Sequence, residues 1–365
     1  MFMIFGINFR MIYSKSALLK GLGDWDYDEI SIPNPNKDQV LVKVTQCGIC
    51  STDVVRSMEV GFYNYPIVPG HEIIGKVYKI GNNKSGYKEG DKVCVYPLIT
   101  CGSSDCCGDS ISAYGFQKNP NLCSKYDFLG SRSHGGYSEY ILAPIKSLVK
   151  IPDNLIDDLS VFTEPSAVAL HAFRMAQKDR RFDSVLISGL GPIGVLLAAW
   201  CKNFNIKNII GIDRNEHRFQ NFENVGCDHK INTKNDNFLE KIKSYTNNDL
   251  ADVAFECSGS EDLLLHSING LKKGGKIIIL SNQIKEIKLS KEILNKILRQ
   301  EITITGSWSS IIEPVNEWEE SLNFLVKNQH LSSLISHKFK FSEAKKTFPD
   351  MYGKKFKFSK VVLKP

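Results

Sequence analysis

The run Ser184-Val-Leu-Ile-Ser188 passes directly into Gly189-Leu-Gly191-Pro192-Ile193-Gly194 and then into Val-Leu-Leu-Ala-Ala, and no other feature constrains the fold of this chain so tightly. A short, continuous apolar run reads as a strand buried on both faces, since a strand with one wet face would alternate. The apolar pattern after the glycines is that of a buried helix. Strand, G-x-G-x-x-G turn and helix in that order form the entry to a βαβ unit that binds a dinucleotide. Gly189 permits the tight turn, Gly191 lets the backbone approach a pyrophosphate, and Gly194 lets the helix lie close to the strand. Pro192 and Ile193 open the helix, whose first N–H groups lack partners within it and face the phosphates. The next apolar run, 208–212, ends at Asp213. A carboxylate there accepts hydrogen bonds from the adenosine ribose and repels a 2′-phosphate, which predicts NAD rather than NADP. Arg214 beside it is able to contact a phosphate and pulls the other way.

Strand-like runs at 184–188, 208–212, 252–256, 276–280 and 302–306 alternate with amphipathic stretches. That rhythm predicts a doubly wound parallel sheet with right-handed crossovers. Before about residue 160 the texture differs. Val40–Thr45 and Ile74–Ile80 alternate, and Gly90-Asp91 makes a turn before another strand. This is the pattern of a small β-barrel with few helices. After about residue 307 the alternation of strand and helix stops, so the chain is expected to return to its first domain. The reading is an α/β chain in which residues 163–307 are inserted into a β-rich domain of residues 1–162 and 308–365.

A chain of 365 residues is long enough for two separate cores. Its net charge of +6 is scattered, with no basic block beyond Lys354, Lys355 and Lys357, which speaks for a solvated surface and against nucleic acid. No apolar run approaches the roughly 20 residues of a membrane helix. Ten cysteines without a recognisable leader point to thiols and metal ligands in a reducing compartment, hence the cytoplasm. The first ten residues read either as an extra edge strand or as sequence upstream of a true start at Met11.

Two segments of the first domain carry chemistry: Gly48-Ile-Cys50-Ser-Thr52-Asp53 and Gly70-His71-Glu72. Cys50 and His71 are donors that suit Zn²⁺, and a catalytic zinc needs three protein ligands with one position left open. A single Cys or His is more often a packing residue. The pair, in a chain with a dinucleotide fingerprint, predicts a metal centre.

The ordered set Gly-Ile-Cys50-Ser-Thr-Asp53, Pro-Gly-His71-Glu72, Lys88-Glu-Gly-Asp91-Lys-Val, Glu164-Pro165 and Gly189-Leu-Gly-Pro-Ile-Gly194 resembles the zinc-dependent medium-chain dehydrogenases, from about residue 16 to the end. Within them, the segments 125–136 and 296–308 look most like the galactitol-1-phosphate 5-dehydrogenases of the polyol (sorbitol-type) branch. The resemblance implies a GroES-like catalytic domain interrupted by a Rossmann domain, with the active site in the cleft between them. It also implies zinc and NAD as cofactors and a homodimer or homotetramer.

Carried onto this chain, it makes Cys50, His71 and Glu72 the ligands of the catalytic zinc, with Glu72 counted among the catalytic groups. Glu164 completes the sphere directly or through water. Thr52 passes on the alcohol proton, and Asp53 orients the imidazole. Cys101, Cys106, Cys107 and Cys123 fall where relatives hold a structural zinc, although Ser104 stands at one usual cysteine position, Cys106 and Cys107 are adjacent, and 110–118 is an insertion. Arg132, His134, Ser307 and Trp308 are the candidate substrate contacts. Ser133-His134 departs from the relatives' pattern, and Arg132 reads equally as a surface ion pair. The expected reaction is hydride transfer from a secondary alcohol of a polyol phosphate, similar to galactitol 1-phosphate, to NAD. The alternatives are an unphosphorylated polyol, a sugar or an amino alcohol such as threonine, or a cofactor-binding relative without turnover.

Overall fold

A computed structural model describes residues 11–81, 86–102, 119–178 and 181–365. Its contacts divide the chain into two units. One comprises Met1–Cys101, Lys125–Thr163 and Leu322–Pro365, and the other Gly102–Ser124 and Glu164–Ser321.

The first unit is built around strand β1 (Gln39–Ile49). This strand alternates only over 42–45, with Val42 and Val44 buried and Lys43 and Thr45 exposed, while Val40–Val42 and Gln46–Ile49 are buried throughout. β1 pairs antiparallel with β2 (Glu72–Ile80) on one side and with the C-terminal strand Lys360–Lys364 on the other. The resulting seven-stranded sheet also takes in Ile335–Lys340, Lys92–Val95, Leu148–Lys150 and Tyr140–Pro144. A hairpin of Ile12–Gly21 and Asp24–Ile32 covers one side of its core, where Trp25 stacks on Phe348 at 4.1 Å and Tyr137 packs against the same ring. Burying three large aromatics in one cluster contributes several kcal/mol at about 25 cal/mol per Å². This is the GroES-like β-fold expected from the sequence.

The second unit carries six parallel strands: β3 (Ser184–Ser188), β4 (Asn208–Asp213), β5 (His229–Asn232), β6 (Ala251–Glu256), β7 (Leu271–Ile279) and β8 (Thr303–Gly306). Their spatial order is β5-β4-β3-β6-β7-β8, all in parallel register. The order reverses between β3 and β6, and that switch point at the carboxyl ends of the strands is where such sheets bind ligands. β3 and β6 are buried over their whole length, as their unbroken apolar runs require. The short strand β5 escaped the sequence reading because its four residues carry one apolar side chain, Ile231, and show no period. β7 starts earlier than expected, at Leu271, which pairs with Ala251 before the ladder slips at the glycines.

The units differ in two places from the division read from the sequence. The expected return at residue 308 falls after Ser321. The segment between is tied down by buried polar contacts: the Ile311 amide donates to Glu317 at 2.8 Å, Glu317 lies 3.0 Å from His171 Nδ1, and the Trp318 indole donates to Ser310. Leaving any of these groups unpaired in the interior would cost about 1–3 kcal/mol. Residues 119–124 also belong to this unit, and Asn121 Nδ2 donates to the Trp308 carbonyl at 2.8 Å. Among the described residues, no helix is long and apolar enough to cross a membrane.

The glycine turn after β3 separates packing from ligand binding. A Cβ on Gly194 would lie 2.1 Å from the Gly189 carbonyl oxygen, whereas one on Gly191 would meet no protein atom within 4 Å. Gly194→Ala is therefore expected to lower unfolding free energy by about 1–3 kcal/mol in urea titrations. Gly191→Ala should leave the urea midpoint unchanged and still weaken NADH binding in a fluorescence titration.

Candidate functional site

The buried end of β1 delivers Cys50, and the start of β2 delivers Glu72, with His71 one residue before it. The antiparallel ladder sets Gly48 opposite Glu72, which brings these chain ends side by side. A side chain at position 48 is excluded, because its Cβ would fall 1.8 Å from Glu72 Oε2. Cys50 has extended backbone (φ −81°, ψ 147°) and caps the short helix α1 (Ser51–Val55). α1 returns the Thr52 hydroxyl to donate to Cys50 Sγ at 3.0 Å. The donor atoms of Cys50, His71 and Glu72 all lie within 4.8 Å of one another.

His71 and Glu72 each have a buried supporter. Asp53 Oδ1 lies 3.3 Å from His71 Nδ1, close enough to orient the ring, which leaves Nε2 as the metal-facing nitrogen. Asp53 is itself fixed by the Tyr137 hydroxyl, which donates to Oδ2 at 2.6 Å and also lies 3.2 Å from the Gly48 carbonyl. Burial alone would depress the His71 imidazole, but the charge of Asp53, with Cys50 nearby, outweighs it and holds the group well above its ordinary range. The Phe128 ring packs edge-on against His71 at 5.7 Å. Glu72 forms an ion pair with Lys360, whose ammonium also donates to the Ile49 carbonyl at 3.2 Å. The two side chains are only 2% and 3% exposed, so neither charge would be tolerated there without the other. A thiolate, an imidazole and a carboxylate in this arrangement fit zinc, with softness and charge matched to it.

In the second unit, Gly191 caps helix α3 (Pro192–Asn203), with Pro192 in its first turn. Asp213 is buried at the end of β4. Its Oδ2 accepts from the Leu190 amide at 3.0 Å and from Arg218 Nη1 at 3.2 Å, and its Oδ1 accepts from the Asn215 amide at 2.9 Å. Arg214 is exposed. Glu256, at the end of β6 and fully buried, accepts from the amides of Ser258 and Gly259 and from the Ser281 hydroxyl, so it organises the loop beside the glycine turn. Glu164 is buried in the first turn of helix α2 (Thr163–Gln177) of this unit, where the helix dipole favours a carboxylate.

The remaining expected site residues fall as follows. Arg132 lies between the rings of Tyr63 and Tyr126, its guanidinium carbon 4.1 and 4.4 Å from their centroids. His134 Nδ1 accepts from the Val68 amide at 3.1 Å, which pins the ring to the segment leading to His71. Ser307 is buried, its amide donating to the Ile279 carbonyl, and Trp308 is exposed. Cys101 is disulfide-bonded. Cys123 is buried, and Cys106 and Cys107 lie outside the described residues. Lys360, Tyr137, Arg218 and Glu256 were not read from the sequence. Lys360 left one trace there, a lysine opening the terminal strand ahead of the apolar run Val361-Val362-Leu363.

Residues 36–153 match the alcohol dehydrogenase GroES-like domain, and residues 192–327 match the zinc-binding dehydrogenase family. The chain is 30% identical to a sorbitol dehydrogenase of Halalkalibacterium halodurans, over 91% of this chain and 94% of that protein. It is 27% identical to the galactitol 1-phosphate 5-dehydrogenase of Escherichia coli, over 84% and 87% of the two chains. The crystal structure of galactitol-1-phosphate dehydrogenase from Escherichia coli superposes with a TM-score of 0.84 at 26% identity, covering 96% of this chain and all of that one.

His71→Ala is expected to lower bound zinc by one equivalent per chain in elemental analysis, with the far-UV spectrum retained. Lys360→Met strands the Glu72 carboxylate in the interior and should destabilise the fold by about 3–5 kcal/mol in denaturant titrations, while Lys360→Arg should recover much of the loss.

Proposed function

The chain belongs to the zinc-dependent medium-chain alcohol and polyol dehydrogenases, oxidoreductases acting on CH–OH groups, and from that premise we propose that it oxidises a secondary alcohol of a polyol phosphate, of the galactitol 1-phosphate kind, with NAD as acceptor. The observation that carries the phosphorylated substrate is Arg132, a guanidinium held by two tyrosine rings on the loop whose Phe128 packs against His71. Cys50, His71 and Glu72 would hold the zinc, with Glu164 as a further ligand, directly or through water. When bound, zinc supplies the Lewis acid that acidifies the alcohol, and the nicotinamide supplies the hydride acceptor.

The chain's own residues do the rest. Thr52, whose hydroxyl donates to Cys50 Sγ, would turn to accept the alcohol proton while releasing its own toward the cofactor ribose and solvent. Asp53, fixed by Tyr137, keeps the His71 ring in one orientation. Ser307 and Trp308 contact the substrate. Asp213 carries the preference for NAD: its buried carboxylate sits against the glycine turn, where it accepts a ribose hydroxyl and repels a 2′-phosphate. Arg218 and the exposed Arg214 add positive charge beside it and narrow that preference. We place the protein in the cytoplasm as a homodimer or homotetramer. A second reading, oxidation of free polyols, is supported by the 30% identity to a sorbitol dehydrogenase.

The test is NADH formation from NAD⁺ with a panel of hexitols, each with and without a terminal phosphate. Turnover confined to the phosphorylated members is expected, and equal turnover of galactitol and galactitol 1-phosphate would overturn the phosphate assignment. Asp213→Ser should reduce the ratio of kcat/KM for NAD over NADP by about 10- to 100-fold, the worth of one or two charge-assisted hydrogen bonds.

A further inference from the structure

One cluster of the first unit is left unexplained by the metal chemistry. Arg56 follows α1 directly, one turn beyond Asp53, where the helix widens into a π-turn over Arg56–Val60. Its guanidinium carbon lies 4.6 Å from the centroid of Tyr63 and 4.9 Å from that of Phe62. Arg132 sits 4.1 Å from the centroid of the same Tyr63 ring and 4.4 Å from Tyr126. Two cations thus share one aromatic ring. The Nε atoms of both arginines are buried without a hydrogen-bond partner, and among the described residues neither guanidinium has a carboxylate within ion-pair distance. The surface ion pair that Arg132 suggested in the sequence is therefore not formed.

Stacking on aromatic rings holds the guanidinium planes and leaves N–H edges to donate. Like charges gathered on one ring repel, and a bound anion that accepts from both guanidinium edges would offset that repulsion. Tyr63 reports the same field. Burial alone would raise its phenol, but the hydrogen bonds to Tyr126 and Arg56 and the charges of Arg56 and Arg132 bring it below the usual range. Both arginines are tied to the metal site by the backbone. Arg56 is in register with the helix that carries Thr52 and Asp53, and the Arg132 amide donates to the carbonyl of Phe128, at 2.9 Å, whose ring touches His71.

We infer that Arg56 and Arg132, set on the shared ring of Tyr63, form a receptor for the phosphoryl group of the substrate whose alcohol end reaches the metal centre. The inference rests on the proposed reading in taking that substrate to be phosphorylated, and it adds Arg56 and Tyr63 as residues that set specificity. A phosphate monoester is largely a dianion at neutral pH and offers three terminal oxygens, which matches two separate forks. A carboxylate is satisfied by one.

The experiment is calorimetric titration of inorganic phosphate into the zinc-loaded full-length protein, its Arg56→Gln and Arg132→Gln variants, and Arg56→Lys, with sodium acetate at matched ionic strength as the competitor. Zinc content and NADH affinity of each variant establish that the fold is kept. Saturable phosphate binding is expected in the parent, weakened about 10- to 100-fold by either glutamine substitution and only partly recovered by Arg56→Lys, which keeps the charge and loses the fork. Acetate should not displace it. No phosphate binding in the parent, equal affinity in the glutamine variants, or displacement by acetate overturns the receptor. The KM for a phosphorylated hexitol should rise in parallel with the phosphate constant. Phosphate binding lost in Arg56→Gln from a protein inactive on every polyol would uphold the receptor and remove the polyol reading. Turnover of phosphorylated hexitols with KM indifferent to both substitutions would do the reverse.

Discussion

The antiparallel pairing of β1 with β2, with Gly48 opposite Glu72, is the constraint from which the metal site follows. Cys50 leaves the end of one strand, and His71 and Glu72 enter the start of the other. Residues more than twenty positions apart in the chain therefore meet with their donor atoms within 4.8 Å. The pairing needs a residue without a side chain at position 48 to make room for the Glu72 carboxylate. The C-terminal strand adds the third element. Its pairing with β1 sets Val361 beside Ile49 and brings the Lys360 ammonium to Glu72. Three strands separated in sequence thus converge on one candidate metal site.

Each unit buries charges that would be costly to bury alone. Asp53, Glu72 and Lys360 in one unit, and Asp213 and Glu256 in the other, are all buried, and each has a partner aimed at it: His71 and Tyr137, Lys360, Glu72, the Leu190 amide with Arg218, and the amides after β6. Breaking any one pair leaves a stranded charge and costs more than the pair itself contributes. These interactions thus give orientation more than net stability. A ligand whose ring or carboxylate is turned from behind holds its lone pair toward a metal without further reorganisation.

Much of this was legible in the sequence because it is local. The run 184–194 encodes strand, turn and helix in one window, and the structure gives it that form, with Gly194 packed on Gly189 and Gly191 open above the turn. Cys50, His71 and Glu72 could be picked out because ligand chemistry depends on residue type. The supporters could not. Lys360 is drawn to Glu72 only by a pairing of strands about three hundred residues apart, and Tyr137 reaches Asp53 from a different loop. Arg56 looks like any charged residue near a helix end until the fold sets it against the ring that also holds Arg132. The short strand β5 escaped notice for a different reason: with one apolar residue in four it shows no period of its own.

The central claim is that one thiolate, one imidazole and carboxylate oxygen hold the catalytic ion. X-ray absorption at the zinc edge, on protein carrying one zinc per chain, tests it most directly. A single sulfur at about 2.3 Å, with the remaining nitrogen and oxygen ligands at about 2.0–2.2 Å, is expected. A shell of four sulfurs, or one without sulfur, would contradict it.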